Sequence, residues 1–331
     1  MRRLIGLLAA LIIFTFIANT IHSKFLLNDY LSTTTTSQVE IVIEDGDTGT
    51  QIAQKLKKAG VIKASKVFYK VAINDKRSNS ISPGIHEIDI KISARSALDQ
   101  LLDPKRNRAL FGFIEGLRTA EVIDLLEKSN LVSGRLSSDV KPDSIYKTSN
   151  LEGFLFPAQY AFLPGTQIDD AVNQMVQRFN IAAKESKIEE GFKGFLPLEL
   201  VTIASIIQAE GDEQDFTKIA QVIYNRLKIG MPLQMNATID YAANLRGNIR
   251  LPYKRLEINS RYNTYKFRGL PPGPIGNPGQ SALNAATNPL PGEWLYFVTV
   301  KPNDTRFTNS FDQFNIWANE FRKNEKAGLF E

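Results

Sequence analysis

Pro197-Leu198-Glu199-Leu200-Val201-Thr202-Ile203-Ala204-Ser205-Ile206-Ile207-Gln208-Ala209-Glu210 contains nothing after Pro197 that breaks a helix. Pro197 suits the first helical position, where its missing N–H is no loss, and Gly211 suits the residue just past the end. Counting about 100° per residue from Leu200 puts Ile203, Ile206 and Ile207 at about 300°, 240° and 340°, and Glu210 at about 280°. The expectation is a helix over 198–210 whose apolar stripe ends in a carboxyl. An acid carried into an apolar surface is desolvated, which favours its neutral form, and the negative end of the helix dipole pushes the same way. Both effects raise its pKa toward what a general acid needs near neutral pH. On helix geometry alone, Glu210 could equally sit at a frayed end and pair with Lys218 or Arg226.

Downstream, Ile219, Val222, Ile223 and Leu227 space a second helix over 216–229, closed by Gly230 before Pro232. Tyr262-Asn263-Thr264-Tyr265 supplies two aromatic faces with amide and hydroxyl groups between them, a combination that binds sugars. Gly269-Leu270-Pro271-Pro272-Gly273-Pro274-Ile275-Gly276-Asn277-Pro278-Gly279 holds four prolines and four glycines. Helix and central strand are excluded there, and the prolines reduce the entropy lost in fixing one shape. The segment reads as a stiff wall beside a cleft, or as a rigid connector.

Composition narrows the chemistry. The chain has 331 residues, 40 Lys+Arg against 35 Asp+Glu (40 − 35 = +5), 43% hydrophobic residues and no cysteine. It is long enough for two or three packed domains and too apolar for wholesale disorder. Without cysteine there is no disulfide framework, thiolate metal site or thiol nucleophile. With only His22 and His86, a histidine-rich metal site or a Ser-His-Asp triad is disfavoured, so catalysis is expected from carboxylates, with no cofactor. The small positive charge could suit an acidic partner, but no nucleic-acid-binding module is recognisable.

Met1-Arg2-Arg3 is followed by an uncharged stretch, Leu4 to His22, which as a helix covers roughly 28 Å, close to one membrane crossing. The arginines place the amino terminus in the cytoplasm and the body on the extracytoplasmic side of the cell membrane. A cleaved signal peptide, with Ala18 and Thr20 near the cleavage site, is the alternative and exports the body just the same. The expected organisation is a cytoplasmic start and anchor over 1–27, a polar tether over 28–38, a small subdomain over 39–104 and a catalytic domain over 105–331. In the small subdomain, alternation at Val39-Glu40-Ile41-Val42-Ile43 and over 86–90 predicts two strands. Helical spacing over 50–60, 67–73 and 93–102 completes a βααβα order, with Gly60 as a helix stop. Residues 45–56 and Pro83-Gly84-Ile85-His86-Glu87-Ile88 resemble a LysM-like module of cell-wall enzymes, although a spacer without sugar affinity fits the same pattern. In the larger domain, helices are expected over 169–179, 198–210, 216–229 and 311–322, and a β-rich run over 294–300.

Taken together, Leu151-Glu152-Gly153-Phe154-Leu155-Phe156-Pro157, Ala204-Ser205-Ile206-Ile207-Gln208-Ala209-Glu210, Tyr224-Asn225-Arg226-Leu227, Gly230-Met231-Pro232-Leu233-Gln234 and Tyr262-Asn263-Thr264-Tyr265 through Gly273 resemble the endolytic murein transglycosylases, the MltG/YceG-like family. The resemblance implies an α+β chain with an N-terminal transmembrane helix, a small LysM-like subdomain and a larger mixed α/β catalytic domain. It implies cleavage within nascent peptidoglycan strands beside the membrane, with peptidoglycan synthases (penicillin-binding proteins) as partners. It assigns the catalytic role to Glu210 and substrate-binding roles to Asn225, Gln234, Tyr262, Asn263 and Tyr265. Three positions depart from the common pattern: Gln208 where many members have glutamate, Asn236-Ala237 where many have Asp-Pro, and Phe314 where histidine is common.

The implied reaction is non-hydrolytic. Glu210 protonates the oxygen between MurNAc and GlcNAc, and the MurNAc 6-hydroxyl closes a 1,6-anhydro ring as it returns a proton to the carboxylate. A hydrolytic glycosidase of muramidase type needs a second carboxylate, for which Asp212, Glu213, Asp215 and Asp240 are available. A non-catalytic wall-binding scaffold tethered to the membrane is the alternative from another class.

Overall fold

The computed structural model describes residues 29–31, 37–163, 165–246 and 256–330. The membrane span expected over 4–22 lies outside the described residues, among which no helix is long and apolar enough to cross a membrane. The chain divides into two units, Met1–Phe111 with Gln159–Gly165, and Gly112–Ala158 with Thr166–Glu331.

The first unit follows the βααβα order: β1 (Gln38–Ile43), α1 (Gly49–Lys58), α2 (Ser65–Ile73), β2 (Gly84–Asp89) and α3 (Ala94–Leu101). The strands pair antiparallel from Gln38↔Asp89 to Ile43↔Gly84. Alternation decides which face is buried: Ile41 and Ile43 point inward, while Glu40 and Val42 remain exposed. Thr48 begins α1 with a reciprocal cap, its N–H donating to Gln51 Oε1 at 2.8 Å while its hydroxyl accepts from the Gln51 N–H. Gly60 ends that helix at φ +75°, the backbone its sequence position demanded. Leu56, Phe68, Ile88 and Leu98 fill the core. Two features were not foreseen. Asp29, in the expected tether, accepts from the Ala94 N–H at 3.0 Å, and segment 159–163 returns to this unit, where the Phe162 N–H donates to Ala109 O at 2.8 Å.

The second unit is built from α4 (Thr119–Lys128), α5 (Ile168–Glu185), α6 (Pro197–Glu210), α7 (Phe216–Lys228), α8 (Asn236–Ala242), α9 (Gln280–Thr287), a hairpin of β3 (Tyr296–Lys301) and β4 (Asp304–Thr308), and α10 (Phe311–Lys326). All four expected helices are present, three of them longer than the pattern suggested. The β-rich run forms β3, but its partner β4 was not read from the sequence.

One expectation is corrected. Helix α6 has no apolar stripe, because every residue from Leu200 to Ile207 is buried, including Thr202 and Ser205. It runs through the middle of the unit, with α7, α8 and α9 packed around it. A helix covered on all sides needs no amphipathic pattern. Thr202 and Ser205 are tolerated inside because their hydroxyls donate to Leu198 O and Thr202 O, both at 2.8 Å. By contrast, α7 keeps one wet face, and its buried residues follow the spacing of its sequence.

Candidate active site

Glu210 ends α6 where that helix leaves the core: Ile207 is buried, Gln208 half-buried and Ala209 exposed. Gly211 continues in extended backbone, and a Cβ there would overlap Ile219 Cδ1, so glycine permits the close approach of α7. The Glu210 side chain is half-buried and faces a cleft of about 610 Å³, lined also by Glu115, Arg118, Gln208, Asn236, Asp240 and Ile275.

Burial pushes the Glu210 carboxyl up to about 7, opposed by the Ala237 N–H at 2.8 Å and by the charge of Arg226, and assisted by the charge of Asp240. The dipole directed at this group therefore differs from the expected one. Besides its own helix end, the carboxyl meets the N-terminal turn of α8, which favours the charged form, yet desolvation prevails. At neutral pH the group divides between acid and carboxylate, so it can deliver a proton and then take one back.

Arg226 is 6% exposed and donates from Nε to Leu295 O at 2.6 Å and from Nη1 to Leu233 O. Its guanidinium lies over the Tyr296 ring at 5.4 Å from the centroid. Burial lowers its pKa, while the charges of Tyr296, Tyr265 and Glu210 raise it. The sequence held a signal for this placement. Stepping about 100° per residue from Ile219 puts Arg226 at about 340°, between Val222 and Ile223 on the apolar arc.

The proline-rich wall is a wall of the cleft, through Ile275. Every second residue donates its N–H: Ile275 to Ser205 Oγ at 3.0 Å, Asn277 to Leu117 O at 2.8 Å and Gly279 to Gln208 Oε1 at 3.0 Å. Pro274 and Pro278, which have no N–H, fall at the intervening positions. The Asn277 side chain donates to Leu117 O at 2.8 Å and accepts from the Leu155 N–H at 2.9 Å. A Cβ on Gly276 would lie 2.7 Å from Gly116 O, and one on Gly153 2.5 Å from Pro274 Cβ. The Leu151–Pro157 motif, the wall and α6 are thus one packed assembly around the cleft.

The expected substrate residues are distributed unevenly. Tyr265 is the one electrostatically coupled to Glu210: burial and the Glu210 charge push its phenol up to about 12, and its hydroxyl donates to Asn236 Oδ1 at 2.5 Å. The Tyr262 ring packs on Tyr241 with centroids 4.8 Å apart. Asn263 is fully buried, donating to Leu256 O and Ile258 O at 2.9 Å each and accepting from the Tyr265 and Lys266 N–H groups. Asn225 donates to Gly292 O at 3.0 Å and Trp294 O at 2.8 Å, and accepts from Gln221. The Gln234 side chain is exposed, on a left-handed backbone at φ +50°. None of these five is among the residues lining the cleft beside Glu210. Glu115, Arg118, Asn236 and Asp240 are. Asp240 was read from the sequence as an available second carboxylate and Asn236 as a departure from the family pattern, whereas Glu115 and Arg118 were given no site role because tertiary packing alone brings 115–118 to α6.

A sequence model of the YceG-like family matches residues 41–320. The chain belongs to the YceG-like family. It is 32% identical to an endolytic murein transglycosylase of Bacillus subtilis, over 87% of this chain and 86% of that protein. It is 39% identical to an endolytic murein transglycosylase of Streptococcus pneumoniae, over 45% of this chain and 28% of that longer protein. A crystal structure of a YceG-like protein from Listeria monocytogenes superposes with a TM-score of 0.57 at 25% identity, covering 85% of this chain and 99% of the other. Glu210 and the proline-rich wall both fall inside the part matched by the YceG-like family model.

Proposed function

We propose that this YceG-like chain is an endolytic murein transglycosylase that cuts the MurNAc–GlcNAc β-1,4 bond within peptidoglycan strands without consuming water. The observation that carries this reading is the Glu210 carboxyl, which ends α6 at a cleft and is held near pKa 7 by burial. Glu210 in its acid form gives its proton to the bridging oxygen as the anomeric C–O bond breaks, freeing the GlcNAc hydroxyl. The resulting carboxylate takes the proton of the MurNAc 6-hydroxyl while that oxygen bonds to the anomeric carbon. One residue serves as acid and then base, and it ends as it began.

Hydrolysis is the competing chemistry and needs a second carboxylate. Of Asp212, Glu213, Asp215 and Asp240, only Asp240 lines the cleft. Product masses separate the two. Lytic cleavage yields 1,6-anhydro-MurNAc ends, one water lighter than hydrolytic ends, and reducing MurNAc ends alone would overturn the lytic reading. A dead cleft on a tethered scaffold predicts that Glu210→Gln changes nothing in a strand-cleavage assay.

The same proposal includes an N-terminal membrane anchor with the body outside the cytoplasm, a LysM-like role for the first unit and action beside peptidoglycan synthases. Tyr265 and Gln234 are the proposed substrate-facing residues of the original five. Asn225, Tyr262 and Asn263 act through the loops they fasten. Strand cleavage assayed on membranes and on the detergent-extracted chain tests the anchor.

A further inference from the structure

The first unit carries a groove that the catalytic reading leaves unused. It lies between α1 and α2 with a volume of about 750 Å³, and Ala53 and Tyr69 contribute apolar surface to it. Around it stand Lys57, Lys58, Lys66 and Lys70, and no acidic residue is among its lining. Ile52, Leu56, Val67 and Phe68 are committed to the core, so the groove is the outer face of these helices. Tyr69 is 43% exposed there.

The lack of acid is a matter of arrangement. Seven acidic groups of this unit pair elsewhere: Glu44 and Asp47 with Lys55, Asp75 and Asp99 with Arg77 and Arg95, Asp89 with Arg106, and Glu40 and Glu87 with Arg108. Among the described residues, no acidic side chain forms a salt bridge with Lys57, Lys58 or Lys66. Several ammonium groups around apolar surface favour a ligand that is itself small, apolar and multiply anionic. A flat lipid surface does not need a groove, and a polyol phosphate offers little apolar surface to bury. A peptide of alanine methyls and free carboxylates, the chemistry of the stems on peptidoglycan strands, satisfies both.

We propose that the α1–α2 groove binds the acidic peptide stems of peptidoglycan, its lysines holding the carboxylates and Tyr69 and Ala53 the methyl groups. The inference rests on the proposed wall substrate, but its test does not depend on cleavage. The probe is an N-acetylated Ala-γ-Glu-diaminopimelate-Ala tetrapeptide, titrated into the full chain carrying Glu210→Gln and followed by calorimetry. Binding is expected, weakening as salt rises from low to physiological, and lost at least fivefold when the peptide carboxylates are amidated. Lys57→Glu, Lys58→Glu and Lys66→Glu together should weaken it at least tenfold with circular dichroism unchanged. With Glu210 restored, the triple variant should raise KM for stem-bearing strands and leave cleavage of stem-free glycan as it was.

Absence of peptide binding overturns the proposal, as does equal binding by the triple variant or by the amidated peptide. Binding only to phosphatidylglycerol vesicles or to a glycerol-phosphate polymer also overturns it, since the occupant would then be another anion. Peptide binding without any strand cleavage would instead sink the catalytic reading and leave this one standing.

Discussion

Glu152 and Glu210 are two carboxyls in the same unit, both raised by burial, and they differ in their donors and in their access to the cleft. Glu152 is 7% exposed, accepts from the Thr119 N–H at 3.0 Å and from the Tyr241 hydroxyl at 3.1 Å, and lies near the charge of Arg118. It joins the start of α4 to α8 and does not line the cleft. Glu210 has the single N–H of Ala237 and an open side. Burial perturbs both groups, but only the one facing space can transfer a proton to something else. A raised pKa marks a candidate, and the missing wall makes it an acid.

The sharpest way to break this contrast is to remove each acid in turn. Glu210→Gln should lower strand cleavage at least about a hundredfold, the usual contribution of a general acid, read from muropeptide release. It should also stabilise the protein. The unfolded carboxyl ionises near 4.5 and the folded one near 7. Between those values the native state binds more protons, so stability falls as pH rises through that window and stays low above it. At about 1.4 kcal/mol per unit over the interval from 4.5 to about 7, the wild-type penalty reaches roughly 3 kcal/mol by pH 8. Denaturant melts at pH 5 and pH 8 should show the variant gaining on the wild type only at the higher pH.

The same carboxyl sets the rate profile. As the required acid, Glu210 should give kcat/KM a single descending limb above pH 7, about tenfold per unit, measured with stem-free glycan. A bell with a second limb at low pH would indicate a separate base and favour hydrolysis.

Gly153→Ala tests the support beside Glu152. With φ at +89° and Pro274 Cβ 2.5 Å from the added methyl, the variant should lose about 2 kcal/mol or more in chemical denaturation. Glu152→Gln should be milder, about 1–2 kcal/mol, with cleavage retained within tenfold. Loss of activity equal to that of Glu210→Gln would erase the distinction between the two acids. The smallest effect is expected from Asp240→Asn. Its charge helps raise Glu210, so the descending limb should move to lower pH while anhydro products persist.

What could be read in advance followed from how exposed each element is. The βααβα unit was legible because β1 and α1 each have one wet face, which writes a period into the sequence. The same holds for α7, where that period also contained the buried Arg226. Helix α6 offered no true period, since its whole circumference is covered from Leu200 to Ile207, and the angular reading of Glu210 reached the right residue through a stripe that does not exist. Its place at the helix exit is what matters. The β4 strand, with each residue half-buried, presented no alternation to find. Asn263 was read as a sugar ligand from composition, although an Asn holding a loop together has the same composition.

The alternating wall has a further consequence. Because N–H groups at 275, 277 and 279 are all claimed and prolines stand at 274 and 278, sliding this segment by one residue would set a proline against at least one acceptor. The edge of the cleft therefore cannot creep. It tolerates only steps of two residues, so a one-residue insertion or deletion between Pro274 and Gly279 should be far more disruptive than any single side-chain change there, and the spacing of the groove is kept by backbone arithmetic.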